Sequence, residues 1–189
     1  MNEVLSPNNG QLAAIDMGSN SFRLEIGQLS PGRYKRIDYL KETVRLGGGL
    51  DAQGLLTEDA MERGLACLRR FAQRLEGYAP TQVRAVATQT LREAQNRNAF
   101  LVRAQTVLGH PIEVISGREE ARLIYAGVAH LQPSDQRRLV IDIGGRSTEM
   151  IIGRALQAEL MESYRVGSVA WSMKHFAEGQ FTPTAFRAA

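Results

Sequence analysis

The feature that most constrains this chain is a pattern that occurs twice. Residues 15–27 and residues 141–153 both read I-D-x-G-x-x-S-x-x-x-x-I-G, without a gap. The similarity continues downstream, where residues 42–47 and 162–167 both read E-x-x-R-[LV]-G. Two matched segments in the same order predict a duplicated structural unit.

Each copy has the pattern of a strand, a tight turn and a second strand. A short apolar run ends in Asp16 or Asp142, a glycine-containing turn follows, and an apolar-rich run resumes. Glycine lets another group approach the main chain closely, and successive backbone N–H groups in such a turn can form a concave anion site. An aspartate at a strand end suits Mg²⁺, which one or two carboxylates hold together with water and phosphate oxygens.

The repetition decides between two interpretations of these turns. One copy alone would be explained by an ordinary hairpin whose aspartate caps its own backbone. Two copies, with aspartate and hydroxyl side chains at the same offsets, favour two loops that face one phosphate chain across a cleft. The residues that this interpretation assigns to phosphate are Gly18, Ser19, Asn20, Ser21, Gly144, Gly145, Arg146 and Ser147.

Composition places the chain among ordinary globular proteins and argues against several classes. Its 189 residues suit one large domain or two small ones, and 43% of them are hydrophobic. The single cysteine, Cys67, excludes an internal disulfide. The basic residues are dispersed and aromatic residues make up only 6%, so nucleic-acid binding is not expected. No apolar run approaches the about 18 residues of a membrane span, and we predict a cytoplasmic protein.

Between the two copies, the chain alternates helix and strand signals. The glycines at 47–49 are interpreted as a flexible connection rather than a ligand contact. Thr57 is a predicted helix cap, and the apolar spacing from Met61 to Leu75 predicts one buried helical face. Further strands are predicted at 12–15, 34–46, 83–87 and 112–115. Helices are predicted at 98–108 and 118–129, and in the first of these Leu101, Ala104 and Leu108 should point inward.

Two polar stretches follow predicted strands, where ligands of α/β sheets collect. Thr88, Thr90 and Arg92 follow the strand at 83–87, and for Arg92 a phosphate contact and a solvated side chain remain equal alternatives. In the helix at 118–129, at ~100° per residue, Glu120 lies about 75° from the centre of the apolar face and Glu119 almost opposite it. Glu120 is therefore a candidate general base for water. Helix geometry alone slightly favours the alternative, in which both acids only stabilise the helix dipole.

The two copies differ in length. The first is followed by helix, strand, helix, strand and helix, whereas the second has three predicted strands and one helix before the chain ends. We therefore predict a flexible tail at 1–11, a complete first lobe at 12–130, a polar hinge near 130–135, and the beginning of a truncated second lobe at 131–189. The fold class is α/β.

Four motifs in this order resemble the exopolyphosphatase/guanosine pentaphosphate phosphohydrolase (Ppx/GppA) family. They are D-M-G-S-N-S-F at 16–22, T-Q-T-L-R at 88–92, I-S-G-R-E-E-A-R-L at 115–123 and D-I-G-G-R-S-T-E at 142–149. The resemblance extends from about residue 12 to the end. It implies ribonuclease-H-like lobes of the actin/Hsp70/sugar-kinase superfamily. It also implies Mg²⁺-dependent removal of the terminal phosphate from inorganic polyphosphate or from guanosine pentaphosphate, a molecule of the stringent response.

The resemblance also implies roles for individual residues. The second glutamate of the G-x-E-E-A motif is catalytic in this family, which is Glu120 here. The arginine of the T-L-R motif corresponds to Arg92, and the metal site corresponds to Asp142 and Glu149, with Asp16 as a further candidate. Homodimers of full-length proteins are part of the same expectation.

One residue departs from the family pattern. The second loop usually reads G-G-G-S or G-G-A-S, and here Arg146 replaces the small third residue. Its side chain either clamps phosphate or fills the site and impairs turnover. The alternative to an enzyme is therefore a module that binds polyphosphate or guanosine pentaphosphate without hydrolysing it, and the truncated chain is itself a candidate for inactivity.

Overall fold

The computed structural model describes residues 10–31, 33–176 and 179–189. Most of the predicted tail at 1–11 lies outside these ranges, and the first strand already begins at Gln11. The elements, in chain order, are β1 Gln11–Met17, β2 Ser21–Ser30, β3 Arg33–Thr43, α1 Glu58–Arg74, β4 Val83–Ala87, α2 Gln89–Glu93, α3 Arg97–Leu108, β5 Ile112–Val114, α4 Gly117–Leu131, β6 Arg137–Ile143, β7 Thr148–Arg154, β8 Gln157–Tyr164, α5 Ser168–His175 and α6 Pro183–Ala188.

The first sheet has five strands in the order β3-β2-β1-β4-β5. β1, β2 and β3 form an antiparallel meander, and β4 and β5 extend it in parallel from β1. In the parallel register Met17 lies beside Ala87, which lies beside Val114. The carboxyl ends of three strands therefore meet at one edge, which is where α/β proteins place their ligands.

Helices α1 and α3 form the core of the first unit together with the sheet. The hydroxyl of Thr57 caps α1 by accepting a hydrogen bond from the backbone of Ala60, as predicted. The apolar face of α1 is buried through Met61, Leu65 and Leu68. In α3 the innermost aromatic residue is Phe100, whereas Leu101, predicted to point inward, is only half-buried.

The second sheet contains β6, β7 and β8 in antiparallel order. Helix α4, which follows the first sheet in the chain, packs against β7 and β8. Ala121, Tyr125 and Ala129 form its buried face together with Ile151 of β7. The helix therefore connects the two sheets, because it follows the first in the chain and packs on the second. The lobe boundary predicted near residue 130 stays a prediction.

The glycines at 47–49 do not form a flexible connection. Residues Leu46–Gly49 form a 3-10 turn in which Gly47 and Gly49 are buried. The backbone N–H of Gly47 donates to the carbonyl of Ser19 at 2.8 Å. This turn is consequently attached to the first glycine loop.

None of the helices in the described part of the chain is both long and apolar enough to cross a membrane.

Candidate functional site

The two glycine loops line one small cavity at the edge of the first sheet. Its volume is about 110 Å³, and residues from both copies of the repeat surround it. Glu120 comes from the first turn of α4, and Thr88 follows β4. The lining residues are Asp16, Gly18, Ser19, Asn20, Ser21, Arg23, Thr88, Glu120, Asp142, Ile143, Gly144, Gly145 and Ser147.

The two loops have the same backbone hydrogen bond. The N–H of Gly18 donates to the carbonyl of Ser21 at 3.2 Å, and that of Gly144 donates to the carbonyl of Ser147 at 2.9 Å. A β-carbon at either glycine would lie 3.0 Å from that carbonyl oxygen, which is closer than such contacts normally are. Both turns therefore favour glycine for the same reason, and the duplication extends from sequence to geometry.

The loops also touch each other. A β-carbon added at Gly145 would lie 3.3 Å from the side chain of Ser19 and 3.5 Å from the backbone nitrogen of Asn20. The first residues of α5 hold the second loop from behind, because Ser168 and Val169 donate backbone hydrogen bonds to the carbonyls of Gly144 and Gly145. Small residues at the contact allow both loops to line the same cavity.

Glu120 and Arg92 form a half-buried ion pair next to the cavity. The distance from Arg92 NH1 to Glu120 Oε2 is 2.8 Å, and the side chains are only 17% and 16% exposed. The same Arg92 nitrogen donates to the carbonyl of Ile115. Glu119 instead pairs with Arg122 and Arg84 on the outer side of the helix. This agrees with the helical geometry that singled out Glu120.

The environment of Glu120 disfavours its charged form. Its pKa is raised from 4.5 to about 7, first by burial and then by repulsion from the Glu149 carboxylate. Arg92 lowers this pKa through its hydrogen bond and charge, and Asp16 adds a smaller rise. A carboxyl with a pKa near 7 has the proton affinity that a general base needs at neutral pH.

Carboxylates from both copies of the repeat converge on the cavity. Burial raises the pKa of Asp16, Arg23 lowers it, and the nearby Asp142 raises it. Asp16 faces Arg23 across β1 and β2, and Asp142 faces Glu149 across β6 and β7, so Arg23 and Glu149 occupy equivalent positions of the repeat. Arg23 neutralises part of the charge in the first copy, at 3.5 Å from Asp16, while the second copy presents two acids.

Glu149 is the most buried of these acids, at 1% exposure. The hydroxyl of Ser163 donates to it at 2.8 Å, and within the described ranges it forms no ion pair. No group of three or more His, Cys, Asp or Glu side chains in the described part of the chain is arranged to hold a metal by itself. Mg²⁺ needs only one or two carboxylates with water and phosphate oxygens. Asp16 and Asp142 line the cavity and can supply these carboxylates, whereas Glu149 lies outside the cavity lining. The metal roles of all three acids stay predictions.

Two predicted phosphate ligands do not line the cavity. All three guanidinium nitrogens of Arg92 donate to protein acceptors, on Gln89, Ile115 and Glu120. Arg146 extends from the second loop to Glu93 and the carbonyl of Gly47. Its side chain therefore does not fill the cavity, and the phosphate roles of Arg92 and Arg146 stay predictions.

Several contributors were missed at the level of sequence. Arg23 could have been found as the repeat counterpart of Glu149. No sequence pattern marks Glu93 and Gln89 as site residues, because their role depends on where a short helix lies relative to the second loop. Thr90, a candidate by its position after β4, is buried beside Gly47, outside the cavity lining.

The comparisons with known proteins agree on one family. The profile of the Ppx/GppA phosphatase family matches residues 26–189. A guanosine-5'-triphosphate,3'-diphosphate pyrophosphatase of Vibrio cholerae serotype O1 is 47% identical over 174 residues, which are 92% of this chain and 35% of that protein. The chain thus spans about a third of the length of the curated relatives that it matches.

Solved structures confirm the predicted α/β, ribonuclease-H-like fold class. An exopolyphosphatase-like protein is 31% identical with a TM-score of 0.88, over 94% of this chain and 57% of that one. The Ppx-GppA enzyme of Aquifex aeolicus is 30% identical with a TM-score of 0.78, over 94% of this chain and 60% of that one. The family resemblance predicted from the four motifs is therefore confirmed: the chain belongs to the Ppx/GppA phosphatase family.

Proposed function

We propose that this protein is a phosphohydrolase that removes the terminal phosphate from guanosine pentaphosphate or inorganic polyphosphate. The observation that carries the proposal is Glu120, a partly buried carboxyl with a pKa of about 7 that lines the cavity between two matching glycine loops. The name of the Vibrio cholerae relative supports the guanosine substrate. The exopolyphosphatase-like structure, at lower identity, supports polyphosphate.

Recognition of the substrate is assigned to the two loops. Their backbone N–H groups and the side chains of Ser19, Ser21 and Ser147 offer donors from two sides of the cavity. Such donors bind a phosphate chain through its oxygens. A cavity of about 110 Å³ is small, which suits the end of a phosphate chain better than a whole nucleotide.

Glu120 acts as the general base. It accepts a proton from a water molecule while the water oxygen forms a bond to the terminal phosphorus. The bond from that phosphorus to the bridging oxygen breaks, and the bridging oxygen leaves with its electron pair on the shortened chain. The products are inorganic phosphate and a substrate that is one phosphate shorter. Arg92 holds the carboxylate of Glu120 in place at 2.8 Å.

Asp16, Asp142 and Glu149 are the residues that would hold Mg²⁺. A divalent cation bound there supplies positive charge that offsets the charge of the phosphate oxygens. Glu149 is oriented for this role by Ser163.

The test of the general base uses neighbouring glutamates of the same helix. Glu120→Gln should lower kcat for phosphate release by at least about 100-fold, with substrate binding by calorimetry retained. Glu119→Gln is the matched control, because Glu119 lies on the outer side of α4, and it should keep normal turnover. Near-normal kcat in the Glu120 variant would refute the assignment.

Wild-type protein assayed with both substrates decides between an enzyme and a binding module. Phosphate release from one substrate supports hydrolysis and identifies the preference. Binding of either substrate without release would favour a sensor. The contacts of Arg146 with Glu93 and the carbonyl of Gly47, outside the cavity lining, favour hydrolysis over the sensor hypothesis.

A further inference from the structure

Arg146 belongs to the second loop, but its guanidinium contacts elements of the first unit. Nε donates to Glu93 Oε2 at 2.8 Å, and NH2 forms an ion pair with the same oxygen at 2.7 Å. NH1 donates to the carbonyl of Gly47 at 3.1 Å. The side chains of Arg146 and Glu93 are only 20% and 21% exposed. A planar guanidinium that contacts one carboxylate oxygen through two nitrogens and a backbone carbonyl through the third has a defined orientation.

The acceptor Glu93 is connected to the proposed base. Its other oxygen accepts a hydrogen bond from Gln89 Nε2 at 2.6 Å. The Gln89 side-chain oxygen accepts from Arg92 Nε at 2.9 Å and NH2 at 2.6 Å. Arg92 NH1 then donates to Glu120 at 2.8 Å. An unbroken series of side-chain hydrogen bonds therefore runs from the second loop to Glu120.

The fit of Arg146 depends on the 3-10 turn. A β-carbon at Gly47 would lie 2.7 Å from Arg146 Cδ and 2.9 Å from Thr90 Oγ1. The backbone of Gly47 is in turn bound to the first loop through Ser19. The Arg146 side chain thus lies in a space bounded by the turn, the end of α2 and the first loop.

We propose that Arg146 is a positioning residue, whose ion pair with Glu93 connects the second loop to α2 and so sets the orientation of Arg92 and Glu120. This rests on the proposed function, since Glu120 is the base in it. The inference assigns Arg146 no contact with phosphate, because each of its three guanidinium nitrogens already contacts a protein oxygen. It also accounts for the large cationic residue at a place where the family has a small one.

Kinetics separate positioning from a phosphate clamp. Arg146→Ala and Glu93→Ala should each lower kcat by about 10- to 100-fold, the range expected when a reacting group is misplaced, with KM within about threefold of wild type. The double variant should be no worse than either single one, because both remove the same contact. Arg146→Lys should recover part of the loss. A raised KM with unchanged kcat in Arg146→Ala would overturn the proposal in favour of a clamp.

The control is a pair that lies away from the network. Arg137 and Glu159 form an exposed ion pair between strands of the second sheet. Arg137→Ala should leave kcat and KM unchanged. A loss equal to that of Arg146→Ala would show that breaking an unrelated ion pair has the same effect, and would overturn the specific role.

A second measurement does not depend on turnover. Arg146→Ala and Glu93→Ala should speed amide hydrogen exchange in α2 and in the first turn of α4, and leave α3 unchanged. Unchanged exchange in α2 and α4 would overturn the proposal, whether or not the protein is active. If wild-type protein releases no phosphate, the proposed function fails, and this exchange result alone decides the inference about Arg146.

Discussion

At the scale of single residues, two adjacent glutamates of α4 have opposite electrostatic environments. The pKa of Glu120 is raised to about 7 by burial and by Glu149, with Arg92 opposing the rise. The pKa of Glu119 is lowered by its hydrogen bond with Arg122. One residue along a helix rotates the side chain by ~100°, which is enough to move a carboxyl from solvent to a cavity lined with acids.

This difference predicts how the proposed hydrolysis depends on pH. Glu120 must be ionised to accept a proton from water, so kcat/KM should fall as pH decreases through about 7. The measurement is phosphate release between about pH 5 and pH 9, with Glu119→Gln as the control that keeps the same profile. A rate that stays constant down to about pH 5 would contradict the role of Glu120 as base.

The same shift predicts that the site opposes stability. Because the pKa of Glu120 is higher in the folded protein than its ordinary 4.5, the folded state binds more protons between these values. The free energy of unfolding therefore decreases as pH rises towards 7, because the folded protein must give up the proton of Glu120. Glu120→Gln resembles the protonated form and should raise the free energy of unfolding at about pH 8 by on the order of 2 kcal/mol.

Urea unfolding of this variant and of wild type provides the check. The difference should shrink towards zero at about pH 4, where Glu120 is protonated in both states. Lower stability of Glu120→Gln at about pH 8 would show that the ion pair with Arg92 outweighs the burial of the carboxylate.

At the scale of elements, the 3-10 turn at Leu46–Gly49 connects the first loop with the second. Gly47 donates to Ser19 and accepts from Arg146. Gly47→Ala places a β-carbon within 3.0 Å of Arg146, Thr90 and Ser19, and should lower the free energy of unfolding by about 1–3 kcal/mol.

Gly48→Ala is the matched control for this turn. Gly48 is exposed, and a β-carbon there meets nothing within 4 Å among the described residues. Its stability should equal that of wild type within about 0.5 kcal/mol. Thermal unfolding of the two variants measures the difference in stability. Equal midpoints would show that the turn accommodates the β-carbon at residue 47 without loss of stability.

At the scale of the whole molecule, helix α4 connects the two sheets. It follows β5 of the first sheet, packs on β7 and β8 of the second, and places Glu120 at their junction. The acids Asp16 and Asp142, one from each copy of the repeat, line the same cavity. A cation bound there would therefore contact both units and bind the folded chain only.

Mg²⁺ should accordingly stabilise the protein. A ligand that binds only the folded state, at a concentration ten times its dissociation constant, adds about 1.4 kcal/mol to the free energy of unfolding. Mg²⁺ should raise the midpoint of thermal unfolding. EDTA should reverse this increase, and Asp142→Asn should abolish it. Asp135→Asn, an exposed acid in the preceding loop, is the control and should keep the shift. An unchanged shift in Asp142→Asn would exclude Asp142 from the metal site.

Much of this architecture was predictable because its determinants are local. Periodicity, capping or turn chemistry within a few residues determines the glycine turns after β1 and β6, the cap at Thr57 and the inward orientation of Glu120. The repeat added long-range information, since two matching turns predict that both loops line one site. The interpretation of residues 47–49 failed because a glycine triplet has the same local pattern in a linker and in a buried turn.

The sequence by itself determined the type and order of the elements, the duplicated glycine turns and the family, because these follow from local pattern and ordered motifs. Only the tertiary structure decided the direction of Arg146 and the packing of α4 on the second sheet. It also decided the series of hydrogen bonds through Glu93 and Gln89. The physical reason is that a flexible cationic side chain pairs with whichever acceptors the fold brings within reach, and residues 53 positions apart in the chain meet only after both sheets are packed.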